Sequence, residues 1–170
     1  MNALIIFDLD HTLIHSTYEY NSMTINVRPH FERLFFYLNE YNYDIAFWSL
    51  GEENYVNEII AYLKTKINFN PKFIVSKVIG KNQFIDNMSK IIFDIDCINN
   101  TLVKKISTLK KHISIETNKV ILVDDLITNI GSNPKNNVYR IKEWHRTMLW
   151  DEELIIFENL LIGLRNYSNY

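Results

Sequence analysis

The sequence predicts an α/β fold in which a central parallel sheet carries helices on both faces. Ala3–Phe7 and Lys119–Val123 are short, continuously apolar runs that end in carboxylates, the pattern of strands buried on both faces rather than of half-exposed strands with alternating polarity. Strand and helix patterns then alternate from residue 3 to residue 66, which calls for right-handed crossovers and parallel pairing. With 170 residues, 47% of them hydrophobic and 14% aromatic, the chain can build a substantial core, since near ~150 residues roughly 70% of the unfolded surface becomes buried. That length predicts one domain spanning 1–170 and no large cap domain.

Taken in order, Ala3–Phe7 is the first strand. Phe31, Leu34, Phe35 and Leu38 recur at helical spacing after Pro29, whose missing N–H costs nothing in a first turn, so a helix is expected over Pro29–Glu40. Tyr43–Ser49 reads as a second buried strand, and Glu52–Lys66 as a helix with Tyr55, Ile59 and Leu63 on one face. Lys72–Ser76 and Ile91–Ile95 are further short strands, with no clear period between them. Thr101–His112 reads as a helix capped by Asn100 or Thr101. Lys119–Val123 runs into Asp124 and Asp125, and a short strand at Val138–Ile141 precedes a closing helix from Asp151 to about Leu164.

Composition excludes several classes. The formal net charge is −2, from 18 Lys+Arg against 20 Asp+Glu, so no strong non-specific affinity for nucleic acid or anionic lipid is expected. Cys97 is the single cysteine, which removes an intramolecular disulfide and a cysteine-rich zinc site and fits a reducing, intracellular setting, cytoplasmic or nuclear. The glycines Gly51, Gly80, Gly131 and Gly163 have the spacing of neither a dinucleotide-binding fingerprint nor a P-loop. No basic leader precedes the first apolar run, and no run approaches the ~18–20 residues of a membrane span.

The chemistry is carried by the two acidic strand ends. In an open parallel sheet, ligands bind beyond the carboxyl ends of strands where strand order reverses, so Asp8, Asp10, Asp124 and Asp125 are expected to converge on one site. Four carboxylates in one place need a cation. Oxygen donors without histidine or thiolate suit Mg²⁺, which is commonly held by one or two carboxylates and a substrate phosphate.

Phe7-Asp8-Leu9-Asp10-His11-Thr12-Leu13 resembles the Asp-x-Asp-x-Thr signature of the haloacid dehalogenase superfamily of phosphohydrolases, at the end of the first strand where that superfamily carries it. Leu13-Ile14-His15-Ser16, Val27-Arg28-Pro29-His30-Phe31-Glu32 and Phe47-Trp48-Ser49 are similar to the branch of protein phosphatases that acts on the C-terminal domain of RNA polymerase II. Val103-Lys104-Lys105-Ile106-Ser107 resembles the lysine motif of that branch, Val120 to Asp125 its acidic fourth motif, and Glu143-Trp144 with Asp151-Glu152-Glu153-Leu154 its ending. The likeness covers residues 3–16, 27–57 and 101–162 and implies a three-layer Rossmann-like fold; because no large cap fits the length, the pocket is expected to be open.

The resemblance implies a role for each matched residue. Asp8 attacks phosphorus and forms an aspartyl-phosphate; Asp10 is the general acid and base, with a backbone carbonyl on the metal. Thr12, Ser49 and Lys104 bind the phosphate, Lys104 also serving in catalysis, and Mg²⁺ bridges Asp8, Asp125 and a phosphate oxygen. Asp124 orients either Lys104 or a metal-bound water. Family register selects Lys104 over Lys105; on a helix starting at Asn100 or Thr101 the two point about 100° apart, so only one reaches the site.

Other features are set aside at this level. Phe93-Asp94-Ile95-Asp96 echoes the first motif but carries Ile98 where Thr12 supplies a hydroxyl, and is read as non-catalytic. Cys97 is read as a small buried apolar residue. His11 occupies a variable motif position near the mouth, while His15, His30, His112 and His145 have no metal-ligand spacing, so no structural zinc site is expected. Only Thr17 to Asn26 separate Ser16 from Val27, shorter than the insertion that builds a peptide groove in the branch. Residues 68–100, with Phe69, Phe73, Ile74, Phe84, Ile85 and Met88, supply either core or a replacement groove wall. Three functional readings stand: a Mg²⁺-dependent phosphatase on phosphoserine or phosphothreonine of a protein; the same chemistry on a nucleotide, polynucleotide end or other small phosphomonoester; and a non-catalytic phosphopeptide-binding relative, which intact Asp8 and Asp10 disfavour. Oligomeric state is left open.

Overall fold

The structure, a computed structural model, describes residues 3–20, 22–77, 83–86, 91–94, 96–98, 101–115 and 119–167, and for 83–86, 91–94, 96–98, 101 and 112 the backbone alone. Strand β1 (Leu4–Phe7) is followed by a hairpin, β2 (Ile14–Glu19) and β3 (Ser22–Val27). Then come α1 (Phe31–Glu40), β4 (Asp44–Glu52), α2 (Glu53–Lys66), β5 (Ile74–Lys77), β6 (Gln83–Asp86) and β7 (Ile91–Asp94). A small pair, β8 (Asp96–Ile98) and β9 (Thr101–Val103), precedes α3 (Ile106–His112), β10 (Val120–Asp124), α4 (Ile127–Gly131), a 3₁₀ turn at Lys135–Asn137, β11 (Val138–Arg140) and α5 (Glu153–Tyr167).

Among the described residues seven strands form one sheet in the order β11-β10-β1-β4-β5-β6-β7. The five from β11 to β5 are parallel, and β6 and β7 extend the sheet antiparallel. Chain order runs outward from β1 to β4 and β5 on one side and to β10 and β11 on the other, so the reversal falls between β1 and β10, whose carboxyl ends carry Asp8 and Asp124. The expected α/β fold is present, and no large cap occurs among the described residues.

Both faces of β1 are buried, as its uninterrupted apolar run requires. Because side chains alternate along a strand, Ile5 and Phe7 face one layer and Leu4 and Ile6 the other. The first layer joins Phe7, Ile45, Phe47 and Val123 to Leu34 and Phe35 of α1, Ile59 and Leu63 of α2 and Phe157 of α5. The second joins Leu4, Ile6, Ala46, Trp48, Val120 and Leu122 to Ile106 and Leu109 of α3. Aromatic rings pack around Phe7, the residue before Asp8, with Phe35 tilted at 5.4 Å and Phe157 edge-on at 6.0 Å. Truncating such a ring costs about 3–5 kcal/mol, so the strand that aims Asp8 is firmly seated. Phe69, Phe73 and Ile74 are core; the side chains of Phe84 and Ile85, and Met88, lie outside the described residues.

Two expectations need correction. The segment expected as a helix from Thr101 to His112 begins as strand β9, paired antiparallel with β8, and turns helical only at Ile106. The reason is tertiary: the backbone N–H of Lys104 donates to Asn129 Oδ1 at 3.0 Å and its carbonyl accepts from Asn133 Nδ2 at 2.7 Å, so neither group is left for a helical bond. Asn133 Oδ1 then accepts from the Ile106 N–H at 2.7 Å, capping α3 from outside its own chain segment. The first helix starts at Phe31 rather than Pro29, after His30 in a left-handed conformation with φ 66°; the short stretch between Ser16 and Val27 belongs to the hairpin β2–β3.

Candidate active site

The loop leaving β1 folds back on itself before the hairpin. Asp8 N–H continues the ladder to Val123 O at 3.0 Å, and Leu13 and Ile14 both donate to Leu9 O. A turn this tight needs one residue at positive φ, and His11 takes it at 60°. Arg28, buried at the end of β3, ties this loop to the segment before α5. It donates to both carboxylate oxygens of Asp151, at 2.6 and 2.8 Å, to Thr12 O at 2.9 Å and to Lys142 O at 2.8 Å. The planar guanidinium fork suits this simultaneous bridging in a way a lysine could not.

Lys104 is fully enclosed, with Nζ 2.6 Å from Asp8 Oδ1 and 2.8 Å from Asp124 Oδ2. Asp124 also accepts from Asn129 Nδ2 on both oxygens and from the Leu126 N–H at 2.9 Å. Asp125, half-buried, accepts from Thr12 Oγ1 at 3.1 Å. Asp8, Asp124 and Asp125 each present an oxygen within 4.8 Å of the others.

Asp10 points elsewhere. Its carboxylate takes a very short hydrogen bond from the Tyr55 hydroxyl, and since that phenol has one proton, the Ser16 hydroxyl 2.7 Å away donates to Tyr55 in turn. Burial, followed by the bond to Asp10, pushes the Tyr55 phenol well above its ordinary range, so it remains a donor. Ser49 lies where the pairing of β4 with β5 shifts register, between Trp48 and Glu52, and such irregularities re-aim side chains beside sites. Its hydroxyl accepts from the Gly51 N–H at 2.9 Å. A Cβ at Gly51 would sit 2.7 Å from the Tyr55 ring and 3.1 Å from Ser49 Oγ, so glycine is what lets both approach.

Three carboxylates and one ammonium leave the buried site short of positive charge. Burial pushes the Asp8 carboxyl up to about 8, Asp124 and Asp125 adding to the rise while Lys104 opposes it. Asp125 is raised by burial and then by Asp124. Burial works against the Lys104 charge, but Asp124 and Asp8 outweigh it and hold the ammonium above its usual range. Such upward shifts mark a place for a cation. The donors are all oxygen, as a hard divalent ion requires, and since the oxygens of Asp124 are already engaged, Asp8 and Asp125 are the carboxylates able to hold it.

The family model for NLI interacting factor-like phosphatases matches residues 3–170. The chain belongs to this family. No curated protein matches it. For an NLI interacting factor-like phosphatase the arrangement brings Asp8, Thr12, Lys104, Asp124 and Asp125 together, with Asp10 turned to Tyr55 and Ser49 two residues beyond the Phe47 that pairs with Phe7. Sequence patterning placed Tyr55 on the apolar face of a helix and gave no signal for its hydroxyl. Asn129 of α4 and Asn133 just beyond its end were also missed.

The second acidic motif of this phosphatase lies apart. Asp94 ends β7, four strands from β1 in the sheet, roughly 19 Å at ~4.8 Å per strand; Ile95 and the side chains of Phe93, Asp94, Asp96 and Cys97 lie outside the described residues. Replacing Asp94 and Asp96 together with asparagine is expected to leave turnover of a phosphomonoester within a few fold of the parent. Loss of turnover by a double variant that still unfolds cooperatively would place the chemistry on this pair.

Proposed function

We propose that this phosphatase is a Mg²⁺-dependent phosphomonoesterase working through an aspartyl-phosphate, with phosphoserine or phosphothreonine of a protein as substrate. The observation that carries the reading is the Lys104 ammonium held between Asp8 and Asp124 with Asp125 alongside. Asp8 is the nucleophile, and Asp10 donates a proton to the leaving oxygen and later takes one from water. Tyr55 fixes the Asp10 carboxylate between those roles. Asp124 positions Lys104, whose charge, with the Thr12 and Ser49 hydroxyls, compensates the phosphoryl oxygens. Mg²⁺ would be held by Asp8, Asp125 and the Asp10 carbonyl and would supply charge neutralisation at the phosphate. Without a large cap among the described residues, a protein segment can reach the site, which supports the protein substrate.

A panel of phosphopeptides and phosphorylated metabolites assayed with Mg²⁺ tests this reading. Higher kcat/KM on the peptides, abolished by a chelator, is expected; preference for a nucleotide or sugar phosphate overturns the substrate class, and no hydrolysis of any member overturns the activity. A pH dependence follows from Asp8. Below about 8 its carboxyl in the metal-free protein is largely protonated, so cation binding must displace a proton and tightens as pH rises. The half-saturating Mg²⁺ concentration should fall about tenfold per unit between pH 6 and 7 and level off above pH 8. A half-saturation point that does not move with pH removes Asp8 from the cation.

A further inference from the structure

Three histidines, two of them four residues apart and the third 130 positions further on, meet beside the loop that carries Asp8 and Asp10. His11 is in the loop after β1, His15 is in β2, and His145 is in the segment before α5. Their ring centroids are 4.9 to 5.4 Å apart, and each offers a ring nitrogen within 4.8 Å of the others. From these residues we infer a second metal site, one that takes a zinc-class divalent transition ion on His11, His15 and His145 and leaves a coordination position open to solvent.

The hydrogen bonds already present fix which nitrogens are available. His11 Nδ1 faces the carbonyl of Trp144 at 3.2 Å; a carbonyl only accepts, so Nδ1 carries the proton and Nε2 keeps its lone pair. His145 Nε2 faces Glu143 Oε1 at 3.2 Å, which leaves Nδ1 as its ligating atom. Orientation of a ligating imidazole by a carbonyl or carboxylate on its other nitrogen is the usual outer shell of such metals. His15 Nδ1 is buried with no hydrogen-bond partner. The backbone holds the pieces together, since Trp144 N–H donates to His11 O at 2.8 Å and Arg28 bridges Thr12, Lys142 and Asp151.

A tetrahedral ion with bonds of about 2.0–2.1 Å sets its nitrogens about 3.3 Å apart, so the rings must close in and turn their free nitrogens toward one another. His11 and His145 are 37% and 45% exposed and free to make that adjustment. Asp10 and Glu143 supply negative charge nearby against the exposed Arg146. The donor chemistry also separates the two sites, because imidazole selects zinc-class ions while an all-carboxylate set suits Mg²⁺.

Calorimetric titration of Zn²⁺ into the full chain under excess Mg²⁺ tests the site without recourse to activity. One tight Zn²⁺ per chain is expected, weakened at least about a hundredfold in His145→Ala and in His11→Asn, a change that suits the left-handed backbone there, and unchanged in Asp125→Asn. In the parent labelled with ¹⁵N-histidine, the rings of His11, His15 and His145 should shift on zinc addition while that of His30 does not. Absence of micromolar zinc binding, affinity that follows Asp125→Asn rather than the histidine variants, or unmoved ring signals overturns the proposal, and none of these bears on whether Asp8 hydrolyses a phosphomonoester.

Discussion

Asp8→Asn is expected to abolish phosphomonoester hydrolysis. An amide nitrogen or oxygen cannot replace the carboxylate that attacks phosphorus, and no other described carboxylate has the position of Asp8, in line with β1 and 2.6 Å from Lys104 Nζ. The fold should survive, because asparagine is nearly isosteric and the Phe7, Phe35, Phe47 and Phe157 rings below the loop are untouched. Steady-state kinetics on purified Asp8→Asn, with acid-quench capture of any phosphorylated protein in the parent, checks the expectation. Parental turnover by the variant, or a phosphorylated residue other than Asp8, would falsify the assignment.

Lys104→Ala is expected to lose about 2–4 kcal/mol of transition-state stabilisation, roughly 30- to 1000-fold in kcat/KM. The ammonium separates Asp8 from Asp124, and without it both carboxylates face the incoming phosphate. Breaking a buried ion pair by deleting one partner also destabilises by about 3–5 kcal/mol, so denaturant unfolding must accompany the kinetics and rates be compared where the variant is folded. Lys105→Ala is the control. Lys105 has extended backbone at φ −110°, ψ 116°, immediately before α3, and successive extended residues project to opposite sides. It should change kcat/KM by no more than a few fold; a larger loss at Lys105 than at Lys104 overturns the assignment of the ammonium.

Much of the architecture was legible because it is written in short-range periodicity. The apolar runs of β1 and β10, the spacing of Phe31, Leu34, Phe35 and Leu38 in α1, and the acidic strand ends each span a few residues. Where a segment's hydrogen bonds go to distant partners, the same reading failed. Residues 101–105 look helical by spacing, yet Asn129 and Asn133 take the backbone groups of Lys104 and hold it out of the helix.

By itself, then, the sequence determined the α/β class and the strand ends at which acids gather, because local pattern decides which faces of a segment must be buried, while its resemblance to a phosphohydrolase superfamily pointed to phosphoryl chemistry. Only the tertiary structure decided that Lys104 meets Asp8 and Asp124, that the Tyr55 hydroxyl serves Asp10, and that His11 and His145 meet although 134 positions separate them. Such meetings depend on crossover connections and on clamps such as Arg28–Asp151, which join segments 123 residues apart. No periodicity within a single segment records where another segment will be held against it.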